Sequence, residues 1–130
     1  MDTEIVESLR ACLPDLQAAY RYGSAGGAYE REDSDIDLAI LAGHPLSFAE
    51  RSSLAAKLMR LTDRDVDLND LRSLPVTLRV QIVMDGTRLY AANVSAAEEY
   101  DSRTLSDYVR LNEERREILD DIRRRGSIHG

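Results

Sequence analysis

The sequence predicts an α/β (α+β) chain: a small mixed β-sheet flanked by helices and followed by a long C-terminal helix. Three observations predict it. Helical and strand periodicities alternate over residues 3–91 in the order α-β-α-β-α-β-α-β, which excludes a bundle or a barrel. The segment Asp35 to Leu41 alternates polar with apolar and then turns fully apolar, as a strand does when its far end is buried on both faces. From Ser95 onward only the three-four spacing of a helix remains.

Each element has its own signal. Ile5, Leu9, Cys12 and Leu13 fall at helical spacing before Pro14, so residues 3–12 read as an amphipathic helix with Cys12 on its core face. Residues 16–22 form a strand that runs into Gly23-Ser24 and the small residues Ala25 to Ala28, a tight turn and the start of a short helix. After the strand at Asp35 to Leu41, Gly43, His44 and Pro45 break the pattern. Ser47 and Glu50 form a capping box for a helix through Leu54, Ala55, Leu58 and Leu61. Asp65 to Leu71 alternates strictly and predicts a third strand. Pro75 opens a helix carrying Val76, Val80 and Val83, and Gly86 ends it before a short strand at Arg88 to Ala91. A second capping box, Ser95 with Glu98, starts the last helical region, with an interruption expected near Asp101-Ser102 and an end before Gly126. Tyr108, Leu111, Arg115, Ile118 and Ile122 make its stripe, read first as packing on the sheet and alternatively as a partner surface. Arg123 to Arg125 suit the dipole at a helix end and call for no ligand.

Length and charge narrow the function. The 130 residues are enough for one catalytic domain, 1–130, without a separate acceptor-binding domain. Seventeen basic residues against 24 acidic ones leave a net charge of −7, which repels a phosphate backbone and argues against a nucleic-acid partner. All the basic residues except Lys57 are arginine, the side chain suited to bidentate contacts. A single cysteine, Cys12, allows no internal disulfide, and there is neither a basic leader nor an apolar run of membrane-spanning length. A cytoplasmic protein without membrane association is expected.

The chemistry is expected at Asp35 and Asp37. Residues two apart on a strand share a face with Cα atoms about 6.5 Å apart, and two parallel carboxylates are costly neighbours unless a cation sits between them. Asp67 has the same geometry on the next strand. Magnesium takes oxygen ligands, and three converging carboxylates can hold two metals about 3.5–4 Å apart, the arrangement that clamps attacking and leaving oxygens in nucleotidyl transfer. Gly23-Ser24 offers a phosphate exposed backbone N–H groups at a strand-to-helix turn. Each piece alone is common; their joint occurrence carries the argument. Asp65 and Asp70 are read as solvated or structural, His44 and His129 as too far from ligand spacing to bind metal, and Tyr20 and Tyr22 as packing residues rather than nucleotide stackers.

Gly23-Ser24, ten residues, then Asp35-x-Asp37 resembles the signature of DNA-polymerase-β-like nucleotidyltransferases, with Val66-Asp67-Leu68 where that superfamily carries its third aspartate. More narrowly, Tyr22 to Tyr90, with Asp67 to Ser73, resembles the minimal nucleotidyltransferase (MNT) antitoxins of HEPN/MNT toxin–antitoxin pairs. Leu111 to Arg116 and Ile118 to Asp121 are similar to the C-terminal helix of such antitoxins. The resemblance implies a polymerase-β-like fold and transfer of AMP from ATP, with Mg2+, onto a tyrosine of a HEPN ribonuclease toxin in a hetero-oligomer. It implies that Gly23 and Ser24 hold the triphosphate, that Asp35, Asp37 and Asp67 hold metal, and that the helix at about 96–125 faces the partner. The chain departs from the pattern at Ala28, where relatives usually carry glycine. Two rival functions use the same residues: an aminoglycoside-type small-molecule nucleotidyltransferase, which usually needs a further domain, and a non-catalytic antitoxin, whose mark would be a broken aspartate triad.

Overall fold

The computed structural model describes residues 1–23 and 35–129. Ser24 and the stretch Ala25 to Ala28, with the expected short helix, lie outside them. The elements are α1 (Asp2–Cys12), β1 (Leu16–Tyr22), β2 (Ile36–Ala42), α2 (Phe48–Thr62), β3 (Val66–Asp70), a 3-10 turn (Leu71–Ser73), α3 (Val76–Asp85), β4 (Thr87–Ala91) and α4 (Val94–His129). The strands make one sheet in the order β3-β2-β1-β4. β1 is antiparallel to both β2 and β4, whereas β2 and β3 run parallel, joined by α2. The mixed sheet with helical cover is the predicted class.

Each face of the sheet has its own core. Ile5, Leu9 and Leu13 from the α1 region and Leu54 and Leu58 of α2 close over Leu16, Ala19, Ile36, Leu38, Ile40 and Leu68. On the opposite face, Ala18, Tyr20, Ala39 and Leu41 meet Leu71 and Ile82, with Leu78 and Tyr100 packed against them. The apolar end of β2 therefore is buried on both faces. Ile82 is 0% exposed at the centre of the second core. Ile82→Ala is expected to destabilise the protein by about 2–5 kcal/mol, the cost of a buried side chain plus the cavity it leaves, and chemical denaturation measures it.

The helix starts follow local chemistry. Ser47 Oγ accepts the Glu50 N–H, and Glu50 returns the bond to the Ser47 N–H, so the predicted capping box opens α2. Gly86 follows α3 as expected, but its φ is −78°. Glycine is needed there for closeness, since a Cβ would meet the Ile82 carbonyl oxygen at 2.5 Å and that of Arg21 at 3.0 Å.

Several expectations give way to tertiary packing. Cys12 is exposed, with Lys57 Nζ 3.3 Å from its sulfur, because Leu13 continues the buried line of Ile5 and Leu9. Ile82 is the buried residue of α3 and Leu78 packs beside it in the second core, while Val76, Val80 and Val83 are half-buried. β3 is shorter than the alternation implied. Asp70 is 3% exposed, and its carboxylate accepts the N–H groups of Leu46 and Arg72, capping the 3-10 turn; it is structural and not solvated.

α4 starts one residue before Ser95, because Asn93 Oδ1 accepts the Ala96 N–H and displaces the expected Ser95–Glu98 box. It continues without interruption through Asp101-Ser102 and past Gly126. Asp101 is a tie and not a break: it accepts the Tyr20 hydroxyl at 2.7 Å and lies 3.4 Å from an Arg88 nitrogen. The stripe divides in two. Ala97 and Thr104 are buried and Tyr108 and Leu111 half-buried, whereas Ile118, Leu119 and Ile122 are more than half exposed. Among the described residues no helix is long and apolar enough to cross a membrane.

Candidate active site

Parallel pairing of β2 with β3 sets Asp37 directly opposite Asp67, and antiparallel pairing of β1 with β2 sets Tyr22 on the other side of Asp37. Tyr22, Asp37 and Asp67 thus form a row on one face, at the end of the sheet where β2 begins. Parallel neighbours are about 4.8 Å apart, so two carboxylates stand side by side at the rim. Asp37 is half-buried, while Asp67 is exposed. Asp35 sits exposed just before β2, which starts at Ile36, so the alternation expected from Asp35 onward begins one residue later.

Burial, then the charge of Asp67, then that of Asp35, pushes the Asp37 carboxyl above the usual carboxylate range. A group in that position gains from a cation. The donor set, three carboxylates at a solvent-facing rim, is of the oxygen type that magnesium takes while keeping coordination positions for phosphate and water. The side chains are not drawn in around a metal: among the described residues no three acidic, histidine or cysteine side chains already form a metal-sized cluster.

β1 ends at the same rim. Gly23 has φ +74°, a conformation that costs an L side chain about 1–2 kcal/mol. A Cβ there would also overlap Asp37 Oδ2 and lie 3.1 Å from Asp37 Cγ. The turn therefore favours glycine, and any larger residue would also have to push the Asp37 carboxylate aside. Ser24, the next residue, lies outside the described part.

Two residues were not singled out as site residues. Asn69 donates to the Tyr22 hydroxyl at 3.1 Å, beside the carboxylate row. Burial foremost, with Asp67 and Asp37 adding to it, holds the Tyr22 phenol above its ordinary value against the opposing Asn69 bond, so it stays protonated. The alternation of β3 places Asn69 on the Asp67 face, but only the fold reveals its partner. His44 stands elsewhere, its ring nitrogens 2.5 Å from Asp15 and 2.8 Å from Glu50. Its pKa is raised first by Asp15 and then by Glu50, and the site does not use it.

The polymerase beta nucleotidyltransferase family matches residues 4–95, a span that holds Gly23, Asp35, Asp37 and Asp67 together. The chain belongs to this family. It is 38% identical, over 93% of its length and 86% of the relative's, to the protein adenylyltransferase MntA of Shewanella oneidensis. Among solved structures, a chain of a toxin–antitoxin complex with AMP-PNP superposes with a TM-score of 0.80 at 39% identity, covering 93% of this chain and 97% of that one. A chain from a complex of tri-AMPylated Shewanella oneidensis HEPN toxin with MNT antitoxin superposes with a TM-score of 0.76 at 38% identity, covering 93% and 94%.

Proposed function

We propose that this nucleotidyltransferase is the antitoxin of a cytoplasmic toxin–antitoxin pair, and that it transfers AMP from ATP, with magnesium, to a tyrosine of a HEPN ribonuclease toxin. The observation that carries the reading is the pairing of Asp37 with Asp67 against the Gly23 turn, in a chain so similar to a protein adenylyltransferase. Its divided last helix supports a protein acceptor, because the outer part of α4 presents Ile118, Leu119 and Ile122 to solvent.

In this reading Asp35, Asp37 and Asp67 hold the metal, which would offset their charge and polarise the α-phosphate. The Gly23 turn and the Ser24 hydroxyl orient the triphosphate. The acceptor tyrosine oxygen attacks the α-phosphorus, the bond to the β-phosphate oxygen breaks, and pyrophosphate leaves. Asp67, the more exposed carboxylate of the row, accepts the tyrosine proton in this reading. The partner presents the acceptor, and docking supplies the orientation that makes the attack effectively unimolecular.

Mass spectrometry of the co-expressed neighbouring protein checks this. Added AMP masses are expected with the intact chain and none with Asp37→Asn. Truncation after Glu113 spares Ala97 and Thr104, which pack against the rest of the protein; it is expected to weaken modification at least tenfold, a ~1.4 kcal/mol loss of docking, without changing ATP affinity. Adenylylation of an aminoglycoside with every protein partner untouched would contradict the antitoxin reading and leave the family assignment standing.

A further inference from the structure

The carboxylate row has a second row behind it. Pairing places Tyr20, Ala39 and Asn69 side by side, one step further along the sheet than Tyr22, Asp37 and Asp67. The bond from Asn69 Nδ2 to the Tyr22 hydroxyl therefore runs diagonally from β1 to β3 and crosses β2. Two strand spacings are about 10 Å, and only a long aromatic side chain meeting a polar one spans them. Ala39, fully buried, is the residue of β2 under that path, and its lone methyl leaves room for the phenol.

β3 needs such a tie. Among the described residues it is an edge strand, hydrogen-bonded to the sheet through β2 alone and in parallel, the slightly weaker pairing. Asp67 rides on it, whereas Asp37 rides on the central strand and the Gly23 turn on β1. Leu68 and the buried Leu71 that follows the strand anchor β3 in the two cores towards its far end, whereas Asp67 stands exposed near its start, where a small tilt of the strand changes the Asp37–Asp67 separation.

We propose that Tyr22 and Asn69 form a positioning strap that sets the Asp37–Asp67 spacing by tying β1 to β3 across β2. The proposal rests on the reading of these aspartates as metal ligands. Side chains that orient ligands from behind contribute about 10–100-fold to metal affinity.

The test uses the full chain and Mn2+ as the probe, titrated by electron paramagnetic resonance, with melting temperature and steady-state kinetics alongside. Tyr22→Phe keeps the ring and removes the acceptor, and Asn69→Ala removes the donor. Each is expected to weaken Mn2+ binding about tenfold and to lower kcat with little change in KM for the partner protein, while the melting temperature stays near that of the parent. The double variant is expected to bind no more weakly than either single one, because both remove one bond. Asp37→Asn, run in parallel, is expected to abolish Mn2+ binding. Binding lost there but unchanged in Tyr22→Phe and Asn69→Ala overturns the strap alone, as do effects that add fully in the double variant. Binding retained in Asp37→Asn overturns the metal reading and the strap with it.

Discussion

Asp37→Asn is expected to lower AMP transfer by about a thousandfold or more while leaving the metal-free fold at least as stable as the parent. The first half follows from removing a charged ligand at the centre of the row, a loss of about 4 kcal/mol of transition-state stabilisation. The second half follows from the electrostatics of the folded protein. Burial, Asp67 and Asp35 all push the Asp37 pKa up. A carboxyl whose folded value lies above its unfolded one holds its proton better when folded. Its contribution to stability is thus present at low pH and lost as pH rises through the folded value. At neutral pH the ionised group is a liability in the absence of metal, and a neutral amide of the same shape removes it. Melting curves with and without Mg2+ read both halves. Mg2+ is expected to raise the melting temperature of the parent and not that of the variant. A variant that is clearly less stable without metal, or that keeps its activity, would contradict the account.

Gly23→Ala is expected to lower turnover by about a hundredfold, the scale of an ångström-sized misplacement at a reaction centre. Two constraints act on one methyl group. The backbone stands at φ +74°, which alanine adopts only at a cost of about 1–2 kcal/mol. The methyl would also overlap Asp37 Oδ2, so either the turn or the carboxylate has to move. Both bear on the reaction, since the turn leads into Ser24 and the carboxylate is a proposed ligand. Steady-state kinetics beside a melting curve separate the two costs. Turnover equal to the parent's would show that the contact between Gly23 and Asp37 has no part in catalysis.

What could be read from the sequence was what rests on short-range periodicity and local hydrogen bonding. The alternation at Asp35 to Leu41 put Asp35 and Asp37 on one face, and Ser47 with Glu50 marked the start of α2. Asp67 was found because β3 alternates in the same way. Its register opposite Asp37 depends on which strands pair and in which direction, information held by the whole sheet. For the same reason the bond between Tyr22 and Asn69, 47 residues apart, left no local trace.

The misread elements were settled by competition between neighbours. Asn93 caps α4 in place of Ser95. Leu13 and not Cys12 fills the core position. Gly126 stays helical with nothing within 4 Å of where its Cβ would be, and there glycine costs a helix only about 1 kcal/mol. The last helix kept its helical spacing, but its inner part packs mainly on α3 and not on the sheet as expected, and its outer stripe is exposed, a division that no local pattern shows.

Transfer of a nucleotidyl group to a partner protein at the rim of Gly23, Asp37 and Asp67 is the step proposed for this chain. ATP labelled on the α-phosphate and ATP labelled on the γ-phosphate, incubated in parallel with the purified chain, Mg2+ and the HEPN toxin proposed as its partner, test it most directly. The α-label is expected to appear on the partner and the γ-label to stay in solution as pyrophosphate, with neither transferred by Asp37→Asn. A partner that acquires the γ-label, or an α-label transferred equally well by Asp37→Asn, would contradict it.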